Sequence, residues 1–561
     1  MLIDMIHDNH GEPPFKTRYR DPAVLRQLGY EAIVIPDALA AVPGAYDPAQ
    51  RGIGRRENEP GSATQRKPWD LEAAIDAQVK SAADQGMQVY FYADAFLLPL
   101  NVVSKHPNDF YCDDSSGRLC PGKPAVYKAL QDQVEELFYR WPAASGLVVR
   151  TGEVYPEATP HMVGSPLHTG NCPACRDISL VERLVRFITA MHATVVTTCK
   201  KTYIHRAWMP SVPGLPNMHD DPAVYREISS RVPASDNLRF SFKFTRGDFR
   251  GGAGATVFNP CLLADGRRKW IEFQCEREYE GKGALPNYQA PAWRDFFAQL
   301  SRGLAEAAGA FRNRFDLWGW SRGGGWGGPY VQREEWIDVN VQALGALYRA
   351  PESDPAELAQ AWAATAFGVA ESSPPAPAIA ELLMLSAPVI RKLLYVAALA
   401  GKSGGGGGEA AWVKDDVLDV EALYASAIRA VETGVAAHAI QEKREALEGV
   451  DRITRLFDIA SPELPNKSQA RDLTNCLAYF QSFAGTVAHL FMGFARYTAW
   501  VNSGRLDADL ADGAMTHLQT AQSQWQIHTQ RYAMQPGSPT MFNELSLWDR
   551  TNACLAELEV E

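Results

Sequence analysis

The chain has 561 residues, of which 46% are hydrophobic and 22% are charged, so it can bury a large core without disulfide or metal supports. Its 55 basic and 66 acidic residues give a net charge of −11, which excludes nucleic acid or an anionic membrane as the main partner. No run of about 18 apolar residues is present to span a bilayer.

The first 350 residues alternate between β-rich segments and helical patterns. The β-rich segments are residues 2–6, 32–36, 88–93, 146–151, 202–207, 238–244, 270–274 and 315–320. The helical patterns are residues 22–28, 70–85, 125–139, 178–198, 222–230, 292–308 and 334–349. A helix is missing only between the sixth and seventh strands, where the chain has the glycine-rich segment 251–254. Alternation predicts a parallel sheet, and eight repeats predict a (β/α)8 barrel, the TIM-barrel fold.

An open doubly wound sheet is the alternative. It normally carries a glycine-rich turn after its first strand. Here the first strand is followed by His7, Asp8, Asn9 and His10, which offer no phosphate cradle. We therefore prefer the closed barrel.

The β-rich segments end before residue 355, and the sequence beyond it is helical in pattern. The Ala- and Leu-rich segments 356–367, 375–400, 417–457, 467–502 and 506–532 predict helices, and the glycine run 404–408 predicts a flexible loop. We expect a catalytic barrel over residues 1–355 and an all-α C-terminal domain over residues 356–561.

Cysteine usage and the N-terminus predict the cytoplasm. The first residues have no basic segment and no apolar core of signal-peptide length, and the nine cysteines form no dense disulfide framework. Cys172 and Cys175 form one C-x-x-C motif, which Cys112 and Cys120 could complete as a four-thiolate zinc site. Ordinary free thiols are the alternative, and we expect no cofactor.

Charged and aromatic side chains follow the predicted strands at the end where a barrel carries its active site. The carboxylates are Glu153, Asp248 and Glu278. The basic and aromatic residues are Arg150, Arg206, Trp208, Lys243, Arg246, Arg277, Tyr279, Trp318, Trp320 and Arg322. Glycoside hydrolysis uses such a set: one carboxylic acid protonates the leaving oxygen, another carboxylate activates water or attacks carbon, and aromatic rings pack on sugars. Arginines suit an acidic sugar, because they bind carboxylates bidentately.

At these positions the chain resembles the α-glucuronidases of glycoside hydrolase family 67. Residues 272–281, EFQCEREYEG, are similar to that family's E-F-Q-x-x-Q-E-Y-L-G signature, and residues 203–208, YIHRAW, are similar to its I-W-R-A-F. Segments 318–328 and 359–368 add to the resemblance. We expect a divergent relative that lacks the family's usual N-terminal domain.

The resemblance implies an inverting, exo-acting enzyme that releases a terminal glucuronic acid, possibly methylated, from an oligosaccharide. It implies Glu153 as the general acid, Asp248 and Glu278 as the residues that position and deprotonate the water, and Arg206 and Arg150 as ligands of the uronate carboxylate. It also implies a homodimer formed through the helical domain.

Structural roles compete with several of these assignments. Arg206 could form a salt bridge with a neighbouring carboxylate, the tryptophans could fill the barrel core, and Glu276 could replace Glu278. A glycosidase for another acidic or neutral sugar, or a carbohydrate-binding barrel without catalysis, are the alternative functions.

Overall fold

The computed structural model describes residues 1–8, 12–42, 68–113, 116–154, 162–210, 212–250, 258–304, 311–399, 413–414, 417–542 and 547–559. The glycine-rich segments 251–254 and 404–408, for which the sequence predicts loops, lie outside these residues.

Eight parallel strands close into a barrel, which confirms the predicted fold. In chain order the strands are β1 (Leu2–His7), β2 (Ala32–Ile35), β3 (Gln88–Asp94), β4 (Leu97–Pro99), β5 (Gly146–Arg150), β6 (Met162–Gly164), β7 (Thr202–Arg206), β8 (Leu238–Lys243), β9 (Lys269–Gln274) and β10 (Phe315–Gly323). The barrel order is β1-β10-β9-β8-β7-β5-β3-β2, and β2 pairs with β1. The short strands β4 and β6, which the sequence did not predict, form a separate antiparallel pair.

Helices connect most of the strands. They are α1 (Pro22–Gln27), α2 (Pro68–Asp84), α3 (Leu100–Lys105), α4 (Pro107–Phe110), α5 (Pro124–Arg140), α6 (Leu180–His192), α7 (Pro222–Arg231), α8 (Ala290–Gly303), α9 (Phe311–Arg314) and α10 (Glu335–Arg349). Helix α7 begins where its sequence predicts, because the Asp221 side chain caps the first turn and Pro222 follows. Between β8 and β9 the described residues contain no α-helix, as the sequence predicts, and residues Pro260–Leu263 form a 3-10 turn.

The C-terminal region is helical, again as predicted. Its helices are α11 (Pro355–Phe367), α12 (Pro375–Leu394), α13 (Val420–Glu432), α14 (Ala436–Ala460), α15 (Lys467–Asn502), α16 (Ala508–Ile527) and α17 (Leu547–Glu559), with a two-stranded pair, β11 (Val413–Lys414) and β12 (Val417–Leu418). Although α15 has 36 residues, neither it nor any other helix in the described part of the chain is long and apolar enough to cross a bilayer.

The chain divides into two compact units. The first contains residues 1–246, 258–273 and 299–323, and the second contains residues 247–257, 274–298 and 324–561. The strands of the barrel lie in the first unit, apart from the last residue of β9. The domain boundary at residue 355 rests on the change from β-rich segments to helical patterns in the sequence, and it stays a prediction.

One buried carboxylate lies in the barrel wall. Asp4 of β1 is 2% exposed and accepts hydrogen bonds from the backbone N–H and the hydroxyl of Ser321, at 2.9 and 2.6 Å. Burial raises the pKa of Asp4 to about 8, although the hydrogen bonds from Ser321 act in the opposite direction. The protonated form is therefore favoured near neutral pH.

Candidate active site

An arginine between two carboxylates lies at the end of β5, in the first unit. Arg150 binds Asp94 of β3 through two parallel contacts, Nε to Oδ1 and Nη2 to Oδ2, both at 2.8 Å. Its Nη1 contacts Oε2 of Glu153 at 2.5 Å. The Glu153 side chain keeps 19% of its surface exposed, so a bound molecule can reach it. The parallel register of β3 and β5, which pairs Asp94 with Arg150, builds this contact.

Trp208 provides a second hydrogen bond to Glu153. Its indole N–H donates to Oε2 of Glu153 at 3.1 Å. The ammonium of Lys243 lies 3.5 Å from the centre of the same indole ring, and the edge of His219 packs against it. Four of the predicted residues, Arg150, Glu153, Trp208 and Lys243, therefore form one cluster. The ring of Trp208 positions Glu153, while one ring face is occupied by a cation.

Tyr92 connects this cluster to a buried ion pair. The Tyr92 hydroxyl lies 3.2 Å from Oδ1 of Asp94 and 3.4 Å from Nη1 of Arg206. Arg206 binds Glu272 through Nε and Nη2, at 2.9 to 3.0 Å, and the two side chains are 2% and 0% exposed. Ser241 donates a further hydrogen bond to Glu272 at 2.7 Å. This geometry favours the salt-bridge alternative for Arg206, because a uronate would have to compete with Glu272.

The predicted residues of β10 are buried. Trp318 and Trp320 stack with their ring centres 5.4 Å apart, and they are 0% and 5% exposed. The guanidinium of Arg206 lies 4.8 Å from the ring centre of Trp320. Arg322 is buried and packs over the ring of Phe15 at 4.6 Å. These positions favour a core role for the two tryptophans, the alternative that the sequence left open.

Glu278 is held by the last residue of β9, in the second unit. The side chain of Gln274 accepts a hydrogen bond from the Glu278 backbone N–H at 2.7 Å and donates one to Oε2 of Glu278 at 3.1 Å. Gly324 lies so close that a Cβ atom there would be 2.5 Å from the same Oε2, and its φ of +87° is strained for other residues. Glu278 is half-buried, whereas Glu276 is 1% exposed, so Glu278 is the more accessible of the two rival carboxylates.

Asp248 is paired with Tyr279, also in the second unit. The Tyr279 hydroxyl donates to Oδ2 of Asp248 at 2.6 Å, and the backbone N–H of Phe249 donates to Oδ1 at 2.8 Å. Burial raises the pKa of Tyr279 far above its ordinary value, and the carboxylates of Glu278 and Asp248 raise it further. The phenol therefore remains a hydrogen-bond donor to Asp248.

Two other predicted arginines have different surroundings. Arg277 is 1% exposed and contacts Glu280 through Nε and Nη2, both at 2.9 Å. Tyr395 and Asn287 also donate to Glu280, at 2.9 and 2.6 Å. Arg277 thus belongs to a buried structural network. Arg246, by contrast, is exposed.

Sequence reasoning missed the residues that connect the cluster. Tyr92, Ser241 and Glu272 lie inside strands, whereas the predicted site residues lie chiefly at or after strand ends. A signal was available, because Glu272 is a charged residue between the apolar Ile271 and Phe273 of β9, and a carboxylate inside a barrel strand requires a buried partner.

Comparison with known proteins adds the fold relationship. No protein-family model matches the sequence, and no curated protein matches it. The chain is similar in structure to a glycoside hydrolase family 138 enzyme targeting pectin rhamnogalacturonan II, with a TM-score of 0.63 and 11% identity over 100% of this chain and 83% of that chain. At this identity the likeness shows a shared fold.

Two further structures match with lower scores. A mutant of the Thermobaculum terrenum O-GlcNAc hydrolase has a TM-score of 0.40 and 8% identity over 99% of this chain and 93% of that one. A family 20 exo-β-N-acetylglucosaminidase from Vibrio harveyi has a TM-score of 0.34 and 9% identity over 61% of this chain and 53% of that one.

Proposed function

We propose that this protein is a glycoside hydrolase that releases a terminal uronic acid. The observation that carries the proposal is the accessible carboxylate of Glu153, which follows β5 and is oriented by Arg150 and Trp208. Carboxylates after the strands of a barrel are the groups that glycoside hydrolysis requires. The fold shared with a family 138 glycoside hydrolase supports the same class of reaction.

In the proposed mechanism Glu153 is the general acid that protonates the leaving oxygen. Asp248 or Glu278 is the base that removes a proton from the attacking water, and the anomeric centre is inverted. The hydrogen bond from Tyr279 orients Asp248, and the contacts with Gln274 orient Glu278. Both arrangements are compatible with a base, so the choice between the two carboxylates rests on mutagenesis.

Arg150 is the proposed ligand of the substrate carboxylate. Its Nε and Nη2 bind Asp94, and its Nη1 binds Glu153, which is partly exposed. A uronate that binds Nη1 would displace Glu153 from the cation. Substrate binding would thus release Glu153 to act as the general acid at the leaving oxygen.

The finer assignment is an exo-acting α-glucuronidase related to family 67. It is supported by the signature-like segment 272–281, in which Gln274 contacts Glu278. An acidic linkage of pectin is a second candidate substrate, because the family 138 enzyme of the same fold targets rhamnogalacturonan II. We also propose action in the cytoplasm, supported by nine free cysteines, and a homodimer formed by the helical region.

A product screen tests the function. Wild-type protein and the Glu153→Gln variant would be incubated with glucuronoxylan oligosaccharides, rhamnogalacturonan II fragments and neutral oligosaccharides, and NMR would follow the anomeric protons. We expect release of a uronic acid by wild type only, with the β-anomer of an α-linked sugar appearing first. Hydrolysis of neutral sugars alone would refute uronic-acid specificity. Binding without hydrolysis of any member would support the carbohydrate-binding alternative.

A further inference from the structure

Four buried cysteines converge at one point of the first unit. Cys112 is 5% exposed, and Cys120, Cys172 and Cys175 are fully buried. Their four Sγ atoms all lie within 4.8 Å of one another. Three of the Sγ–Sγ distances are 3.8 Å (Cys112 to Cys175), 3.5 Å (Cys120 to Cys172) and 3.6 Å (Cys172 to Cys175).

These Sγ–Sγ distances fit four sulfurs arranged tetrahedrally around a metal ion, and they are too long for disulfide bonds. Zinc–sulfur bonds of about 2.3 Å place tetrahedral sulfurs about 3.8 Å apart. A disulfide requires about 2.05 Å. All four cysteines are free in the structure. The cluster therefore has the ligand type, number and spacing of a closed structural zinc site, without an open position for substrate.

The two loops that carry the cysteines have backbones shaped to present them. In the first loop, Cys112 N–H donates to the Arg118 carbonyl and Cys120 N–H donates to the Phe110 carbonyl, both at 2.8 Å, and Tyr111 pairs with Leu119 in an antiparallel bridge. In the second loop, the N–H groups of Cys175 and Arg176 both donate to the Cys172 carbonyl at 2.9 Å. This tight turn directs both thiols of the C-x-x-C motif to the same side.

Glycines allow the two loops to approach each other closely. A Cβ atom on Gly122 would lie 2.0 Å from the Ala174 carbonyl oxygen. A Cβ atom on Gly170, whose φ is +93°, would lie 3.1 Å from the Cys112 sulfur and 3.3 Å from the Cys175 sulfur. Side chains at these positions would separate the thiols, so the packing is specific to the cluster.

Two cationic side chains bind the backbones of the two loops. The buried guanidinium of Arg183 donates to the carbonyls of Cys175 at 2.7 Å and Gly170 at 3.2 Å. The Lys123 ammonium donates to the Tyr111 carbonyl at 2.7 Å and also pairs with Asp113 at 2.7 Å. Both side chains therefore help to fix the loops that carry the cysteines.

We propose that Cys112, Cys120, Cys172 and Cys175 bind one structural zinc ion. The ion joins the β3–α5 connection, which carries Cys112 and Cys120, to the β5–α6 connection, which carries Cys172 and Cys175. Binding converts four thiols to thiolates and releases four protons to solvent. Strands β4 and β6 already pair these connections, and Glu153 lies at the start of the second one. The zinc thus stabilises the part of the second connection that carries Cys172 and Cys175.

Metal analysis of the purified full-length chain tests the proposal without any activity assay. We expect about one zinc per chain by mass spectrometry of the metal content, after reconstitution with zinc under reducing conditions and removal of loosely bound ions. The Cys172→Ser/Cys175→Ser double variant should lose the zinc. Cys199→Ser, which changes a cysteine outside the cluster, should keep it.

A second measurement applies if the double variant does not fold. A mercurial reagent would be titrated into wild-type protein in the presence of a chromogenic zinc indicator, and zinc release should follow the reaction of about four thiols. A protein without zinc after reconstitution, iron in place of zinc, or disulfides among the four cysteines in peptide mass spectra would each overturn the proposal.

Discussion

The Nη1 atom of Arg150 lies 2.5 Å from Oε2 of Glu153, so the predicted acid contacts a cation located three residues earlier in the chain. Asp94 binds the other edge of the same guanidinium and prevents it from rotating away. The proposed mechanism therefore depends on breaking this ion pair when a uronate binds.

Replacing Glu153 with Gln should abolish acid catalysis. The amide cannot donate the required proton, although its oxygen can still accept from Trp208. We expect kcat on an unactivated uronoside to fall by about 10² to 10⁴. Substrate affinity, measured by calorimetry, should not fall, because the neutral amide competes less than a carboxylate for the Arg150 guanidinium. Glu227→Gln on the exposed surface of α7 is the matched control. A Glu153→Gln variant with undiminished kcat would contradict the assignment.

Replacing Arg206 with Ala should destabilise the barrel. The change removes the guanidinium from the buried Glu272 carboxylate, which keeps the hydrogen bond from the Ser241 hydroxyl, and removing one partner of a buried ion pair costs about 3–5 kcal/mol. Urea denaturation should show this loss in the free energy of unfolding, whereas the exposed Arg226→Ala should stay within about 0.5 kcal/mol of wild type. Wild-type stability together with a raised KM for uronosides alone would instead support direct contact with the substrate.

Replacing Tyr279 with Phe should test whether Asp248 is the base. The change removes the donor that lies 2.6 Å from Oδ2 of Asp248. Hydrogen bonds to charged groups contribute about 1.5–3 kcal/mol, so kcat/KM should fall by about 10- to 150-fold. Steady-state kinetics provide the measurement, and Tyr139→Phe, whose side chain is 84% exposed, is the control. An unchanged kcat/KM would favour Glu278.

Asp4 should make stability depend on pH. Its pKa is 3.8 in the unfolded chain and about 8 in the folded one. The folded state therefore binds the proton more tightly, and this contribution to stability is complete below pH 3.8 and is lost as the pH rises through 8. Between these limits we expect wild type to lose about 1.4 kcal/mol per pH unit relative to Asp4→Asn.

Urea denaturation between pH 5 and pH 8 measures this difference. Asp512→Asn, on the exposed surface of α16, should show the same pH dependence as wild type. If the stability of Asp4→Asn runs parallel to that of wild type across this range, the buried protonated carboxyl is absent.

Hydrophobic periodicity was enough to predict the barrel and the helical region. All eight predicted barrel strands are present, because strands buried on both faces must be continuously apolar and the connecting helices must be amphipathic. Strands β4 and β6 were missed, since three residues are too few to establish a period. Their pairing depends on two loops that are remote in the chain.

The candidate active site was likewise predictable only in part. Position after a strand was sufficient to select Glu153, Asp248 and Glu278 as candidates, because strand ends of a barrel share one face. Position could not reveal that Glu272 binds Arg206, since both residues lie inside different strands. The register of β8, which pairs with both β7 and β9, brings them together.

Local patterns in the chain are sufficient to predict the fold class and to identify the types of residues available for chemistry. The pairing of those residues is set by the three-dimensional fold. It placed Arg150 between Asp94 and Glu153, buried Arg206 against Glu272, and brought Cys112 and Cys120 to Cys172 and Cys175. Such contacts depend on strand register and loop packing, which join residues that are distant in the chain and leave no periodic signal.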